Sequence, residues 1–276
     1  MADLFASPRL TILRAQHHID DLNAKINEFI NNQPWSAAVD QDFEARQNLH
    51  KIKFARRLPP DLPCVVFDAA NNLRAVLDQA AYASAVAAGK IAPKRAQFPF
   101  GDDLNGIETV IGRGRCKDLP AEILTLFRSF SPYKGGNDPL WALNKLCNAK
   151  KHCALVPFAL GRAQFSINTI FGKPTATFRD DGKVDLTYQG FSHIVSGHMG
   201  KDSAVWDPDK YEITLLRTPF GTNPNLQPHV AFNVALDGIE TQAGKPAVGV
   251  LREMMRVVDG ILSATEAECR RLKLIR

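Results

Sequence analysis

The chain has 276 residues, 45% hydrophobic and 23% charged, a balance that supports a sizeable core and argues against an intrinsically disordered chain. The 34 Lys and Arg against 29 Asp and Glu leave a formal net charge of +5, compatible with an acidic partner such as nucleic acid but too modest to demand one. No apolar run approaches the roughly 20 residues of a membrane helix, and the first residues lack a secretion pattern, so no membrane partner and a cytoplasmic location are expected.

Five scattered cysteines, Cys64, Cys116, Cys147, Cys153 and Cys269, contain no Cys-x-x-Cys pair. A disulfide framework or zinc site is therefore not expected, and buried thiols are.

In chain order, Ile12, Ile19, Leu22, Ile26 and Phe29 recur near a period of 3.6 and predict a first helix from Pro8 to Asn31. Residues 42–57 read as an amphipathic strand closed by PPDLP. Val66, Ala70, Leu73, Leu77, Ala80 and Ala81 then mark one face of a central core helix, with Gly89 as its C-terminal stop and small residues suited to close helix packing. An irregular stretch holds FPFGDD and IGRGR. Asp118 is positioned to cap a helix carrying Ile123, Leu124, Phe127 and Phe130; SPYKGGN forms a turn, and Asp138-Pro139 opens a helix running to about His152.

From about Val156 the pattern changes to short β-prone pieces, with Asp180-Asp181-Gly182 as a hairpin signal. Pro246 to about Leu272 forms a long amphipathic helix through Val250, Leu251, Met254, Val258 and Ile261, which must pack back on the sheet or on the first helices. The fold class is thus α+β. A mainly helical part, residues 1–155, is joined to an antiparallel sheet with a closing helix, residues 156–276, in one compact unit.

Two polar stripes are the candidate functional features. Asn71, Arg74, Asp78 and Tyr82, spaced three, four and four, line one side of the central helix, and Asn144, Asn148 and His152, with Lys151 adjacent, line one side of the later helix. The first stripe reads either as a preorganised groove, with Arg74 as an anion ligand, or as a surface ion pair between Arg74 and Asp78. The second offers His152 as a general base or phosphate ligand, or as a structural residue near a helix end. Two asparagines inside a helix need a polar neighbour, and the first stripe would supply it within hydrogen-bonding reach.

Other arrangements carry less. His17-His18 with Asp21 reads as a solvated face, and IGRGR lacks the flanking strand and helix of a nucleotide loop. No hydrolase elbow or metalloprotease motif is present, and no metal or cofactor is expected.

The series DAANNLRAVLDQAAYASA, QFPF and LPAEILTLFRSFSPYKGGNDPLWALNKLCNAKKHCAL, over roughly residues 60–156, resembles a widespread uncharacterised bacterial protein family with NLRxxLD and NxxKH helices. In that family the Arg is followed five positions later by His, an arrangement similar to the Arg-x4-6-His motif of HEPN domains, many of which are dimeric RNA-cutting or RNA-binding modules. The resemblance implies HEPN-like helices, a homodimer, and Arg74 and His152 as candidate catalytic residues. This chain departs from the pattern at Gln79, which stands in the histidine slot and has no proton to exchange near neutrality. Asn71 likewise replaces the family's first histidine, and Asn148-Ala149-Lys150 lacks the acidic residue before Lys151. The expected function is a non-catalytic binding protein with a polar interhelical site, the alternative a HEPN-like metal-independent ribonuclease or RNA-binding protein.

Overall fold

The alanine-rich run from Leu62 to Ala87 forms α2 in the computed structural model, with proline in its first turn, where the missing N–H costs nothing. It ends as expected. Gly89 adopts φ +85°, its N–H donates to Val86 O at 2.9 Å, and the Lys90 N–H reaches Ala85 O at 3.0 Å, a Schellman stop that the left-handed glycine makes cheap. The structure describes residues 3–148, 155–160, 162–169, 174–178, 184–188, 194–198, 205–220, 222–227, 231–236, 239–242 and 245–276.

Five further α-helices occur among the described residues: α1 (Ala6–Asn31), α3 (Leu104–Gly112), α4 (Ala121–Ser129), α5 (Asp138–Asn148) and α6 (Ala247–Arg271). α2 packs on α5 and α6, and α6 also receives α4 and α5. Small residues set the closeness of the α2–α6 approach: Ala80, Ala81, Ser84 and Ala85 are buried, and Cys269 Sγ lies 3.5 Å from Ser84 Oγ. Ile19 and Leu22 of α1 and Leu251, Met254, Val258 and Ile261 of α6 are likewise buried, as their periodicity predicts.

Eleven strands are described: β1 (Trp35–Asp42), β2 (Gln47–Phe54), β3 (Leu155–Leu160), β4 (Arg162–Thr169), β5 (Pro174–Phe178), β6 (Val184–Tyr188), β7 (Ile194–His198), β8 (Val205–Asp207), β9 (Glu212–Pro219), β10 (Thr222–Gln227) and β11 (Ala231–Leu236). A four-stranded antiparallel sheet runs β1-β2-β9-β8, beside a three-stranded β10-β4-β7 and the pairs β11-β3 and β5-β6. The chain is α+β. Its two compact units are Met1–Lys25, Asp61–Leu155 and Leu236–Arg276, mainly helical, and Ile26–Pro60 with Val156–Ala235, mainly β. α6 therefore belongs with the helices and the β1-β2 hairpin with the sheet, although the composition shift near residue 155 suggested one cut.

In the β unit, Phe29, Ile52, Phe54, Ile213 and Leu215 form a core cluster, closed by Trp35 and Tyr211 whose rings meet Phe54 edge-on at 5.9 and 5.7 Å. Beside it lies a charged lattice. Lys51 Nζ bonds Glu212 Oε1 at 2.5 Å and Asp40 Oδ2 at 3.0 Å, with Lys51 and Glu212 both buried. Burial pushes the Lys51 ammonium down, and the hydrogen bonds it donates to Glu212 and Asp40 outweigh it, leaving its pKa raised.

Several sequence readings change. Residues 42–57 do not form one strand; β1 and β2 pair as a hairpin, because the alternation resumes on both sides of the polar turn at 43–46. The stretch read as irregular contains α3, opened by Asp103, whose carboxylate accepts the Gly106 N–H at 2.7 Å. Asp118 does not cap α4, which starts after Pro120; its carboxylate instead accepts the Lys94 and Arg95 amides. At α5 the capping acceptor is Asn137, bonding the Leu140 N–H at 3.2 Å, while Asp138 turns back to the Gly135 N–H. Cys64 is exposed, Cys116 and Cys269 buried, and all three are free thiols. Residues 180–182, Cys153, Lys151 and His152 lie outside the described residues.

Candidate functional site

α2 turns by about 100° per residue, so Asn71, Arg74, Asp78 and Tyr82 fall on one side of it. Asn71 and Tyr82 face solvent, whereas Arg74 and Asp78 are 24% and 41% exposed in their side chains. The two charges lie 2.9 Å apart, Arg74 Nη1 to Asp78 Oδ2. Nη1 is buried and makes no hydrogen bond, so its charge is met by this ion pair alone among the described residues.

The stripe meets the segment that follows α2. The Arg74 guanidinium stacks over the Phe100 ring at 4.1 Å, and Asp78 Oδ1 accepts the Phe98 N–H at 3.0 Å. Both phenylalanines are buried, with Phe98 tilted against Phe100 at 5.0 Å and against Phe127 of α4 at 4.8 Å. QFPF and NLRAVLD thus form one packed element, in which the carboxylate accepts the Phe98 amide and the Phe100 ring backs the guanidinium. Gly101 completes the link: its N–H donates to Pro132 O at 3.2 Å, and a Cβ there would stand 2.5 Å from Ile107 N, so only glycine fits beneath α3.

From α5, Cys147 comes within electrostatic reach of Arg74 and Asp78. Burial pushes its thiol up to about 11, with Arg74 pulling it down and Asp78 raising it further. Asn144 and Asn148 bond each other along the helix, Nδ2 to Oδ1 at 3.0 Å. Among the described residues no hydrogen bond joins Asn71, Arg74 or Asp78 to Asn144 or Asn148. The one bond pairs the two asparagines along the helix, and Asn148 is exposed to solvent, so an opposing stripe is not required.

A smaller cluster adjoins the segment. Asp102 accepts Trp141 Nε1 at 3.2 Å and pairs with Lys145 Nζ at 2.6 Å, and the Lys145 bond holds its carboxyl below the usual range. Lys145 and Lys134 lie 5.4 and 5.6 Å from the Trp141 ring centroid.

Gln79 lies five positions beyond Arg74, about 140° around the helix, so the two side chains diverge. Its Oε1 accepts the Thr11 hydroxyl at 3.0 Å and the Ser7 hydroxyl at 3.4 Å, tying α2 to α1. Phe98, Phe100, Asp102, Trp141, Lys145 and Cys147 carried no site signal in the sequence beyond the FPF element itself, since aromatics flanking a proline read equally well as core. Among the described residues no group of three His, Cys, Asp or Glu side chains could hold a metal.

No family model matches the chain, and no curated protein and no solved structure matches it significantly.

Proposed function

We propose that the chain is a non-catalytic binding protein whose α2–α5 face receives an acidic ligand through Arg74. The observation that carries this reading is the Arg74 guanidinium held 4.1 Å over the Phe100 ring with 24% of the side chain left in solvent. The rest of the side chain, 24% exposed, keeps guanidinium N–H groups that an oxyanion can take in charge-assisted hydrogen bonds. Asn71 and Tyr82, exposed on the same side of α2, would supply neutral hydrogen bonds beside it, with Asn144, Asn148, Lys151 and His152 as further candidates.

The test is thermal melting with inorganic phosphate and acetate as probes, in chelator, for wild type and Arg74→Met. A ligand that binds the native state raises the melting temperature with its concentration. The expected result is an anion-dependent rise in wild type that is absent in Arg74→Met; no rise in wild type overturns the proposal.

The rival reading, a HEPN-like metal-independent ribonuclease, needs a proton carrier beside the phosphate ligand. Gln79 has no usable pKa and points to α1, which leaves that role to His152. Labelled single-stranded RNA incubated with wild type in chelator should stay intact. Cleavage that disappears in His152→Ala would put the ribonuclease in place of the binding protein.

A further inference from the structure

The loop after α2 and the glycine-rich turn after α3 build a separate surface on the helical unit. Backbone bonds join the two segments: the Gln97 N–H donates to Arg115 O at 3.3 Å and the Asp118 N–H to Arg95 O at 3.0 Å. The Asp118 carboxylate, in return, accepts the Lys94 and Arg95 N–H groups at 3.1 and 2.9 Å. Gly114 turns the second segment back with φ +76°, and a Cβ on it would lie 3.8 Å from Arg95 Nη1, so the Arg95 guanidinium sits over the turn.

This zipping gathers Lys90, Lys94, Arg95, Arg113, Arg115 and Lys117, all exposed. None of the six has a side-chain ion pair or hydrogen bond among the described residues. Lys90, Lys94, Arg95 and Lys117 line an open depression of about 340 Å³, in which Asp118 is the one carboxylate. So many like charges repel one another, and the field they generate attracts an anionic counter-surface.

Ile91 decides which surface. It stands between Lys90 and Lys94 and is 96% exposed, next to an exposed Ala92 at φ +46°. Residues 89–95 and 112–118 contain no aromatic side chain on which a base could stack. A nucleic acid would occupy the cations and leave Ile91 in water, whereas a bilayer takes both, headgroup phosphates to the cations and the aliphatic tip to the acyl boundary. Among the described residues no helix is long and apolar enough to cross a membrane, so this contact is peripheral. We infer that the paired loops 89–95 and 112–118 form a docking surface for anionic phospholipid headgroups, with Ile91 as the inserting tip.

Co-sedimentation of the full chain with phosphatidylcholine vesicles, with and without phosphatidylserine, tests the inference. Binding is expected only with phosphatidylserine and should fade as salt rises. Each cation removed should lower partitioning about fivefold, so Lys94→Ala/Lys117→Ala should weaken it about 25-fold, and Ile91→Ser on the order of fivefold. These side chains are exposed and leave Arg74 untouched, so unchanged helical ellipticity and unchanged anion-dependent melting should accompany the loss. Failure to bind phosphatidylserine vesicles at low salt overturns the inference. So does a vesicle affinity indifferent to Ile91→Ser, or tight duplex RNA binding that the charge variants abolish while vesicles are ignored.

Discussion

Replacing Arg74 with alanine removes three contributions that the structure separates. Stacking on Phe100 at 4.1 Å with the side chain 24% exposed is worth about 1 kcal/mol, between the solvated and desolvated limits for a cation over a ring. The pair with Asp78, itself 41% exposed, adds only about 0.5 kcal/mol, because solvent screens it. Burial of the aliphatic stem adds roughly 1 kcal/mol, and removal of the unsatisfied Nη1 returns a similar amount. The expected net loss is therefore about 1.5 kcal/mol. The sequence by itself pointed to about 2 kcal/mol or more, from a partly buried Asp78 left unpaired. The structure lowers that figure, since Asp78 keeps both solvent and the Phe98 N–H. Urea melts followed by helical ellipticity measure the loss, and a double-mutant cycle with Phe100→Leu isolates the stacking as a coupling of about 1 kcal/mol. A loss below about 0.5 kcal/mol for Arg74→Ala, or a coupling near zero, would refute the reasoning.

Lys51→Met should cost about 3 kcal/mol in the same melts, because it removes the close partner of the buried Glu212 carboxylate and leaves it the longer 4.0 Å approach of Lys53 Nζ, whereas Lys51→Met/Glu212→Leu should recover most of that loss; equal losses in both would show that the pair is not desolvated. His50 is buried, its Nε2 shares a hydrogen bond with Thr218 Oγ1 at 2.9 Å, and its Nδ1 is unsatisfied; burial lowers its pKa from the usual 6.5. The unfolded chain therefore binds this proton more readily than the folded one, so stability should fall as pH drops below about 6.5, and His50→Gln should flatten that dependence; an unaltered pH profile would contradict the assignment. Among the described cysteines, Cys64 should react with a thiol reagent in the native protein, while Cys116, pushed up to about 11 by burial, and Cys269 should react only on unfolding, which mass spectrometry of alkylated peptides reads directly.

Local chemistry determined much of this protein from its sequence. The 3.6 period of α1, α2 and α6, the left-handed Gly89, the turn at SPYKGGN and the switch to short β-prone pieces all depend on neighbours within a few residues, and each appears in the structure. The same local reasoning placed Arg74 and Asp78 on one stripe and paired them. Only tertiary structure decided what the stripe touches. Nothing in the spacing said that residues 97–100 would return across α2, with Phe100 beneath the guanidinium and Phe98 bonded to the carboxylate; that contact joins residues 20–26 positions apart through the shared core with Phe127. Distant partners also redirected the caps, since Asp118 had a choice between its own helix and two amides 23–24 residues away, and the amides won. The basic loops follow the same rule: Lys90 to Arg95 and Arg113 to Lys117 are separate stretches of sequence, and backbone bonds across the fold bring them onto one surface. Sequence periodicity reports which face a residue occupies, and only the packed chain reports what stands opposite that face.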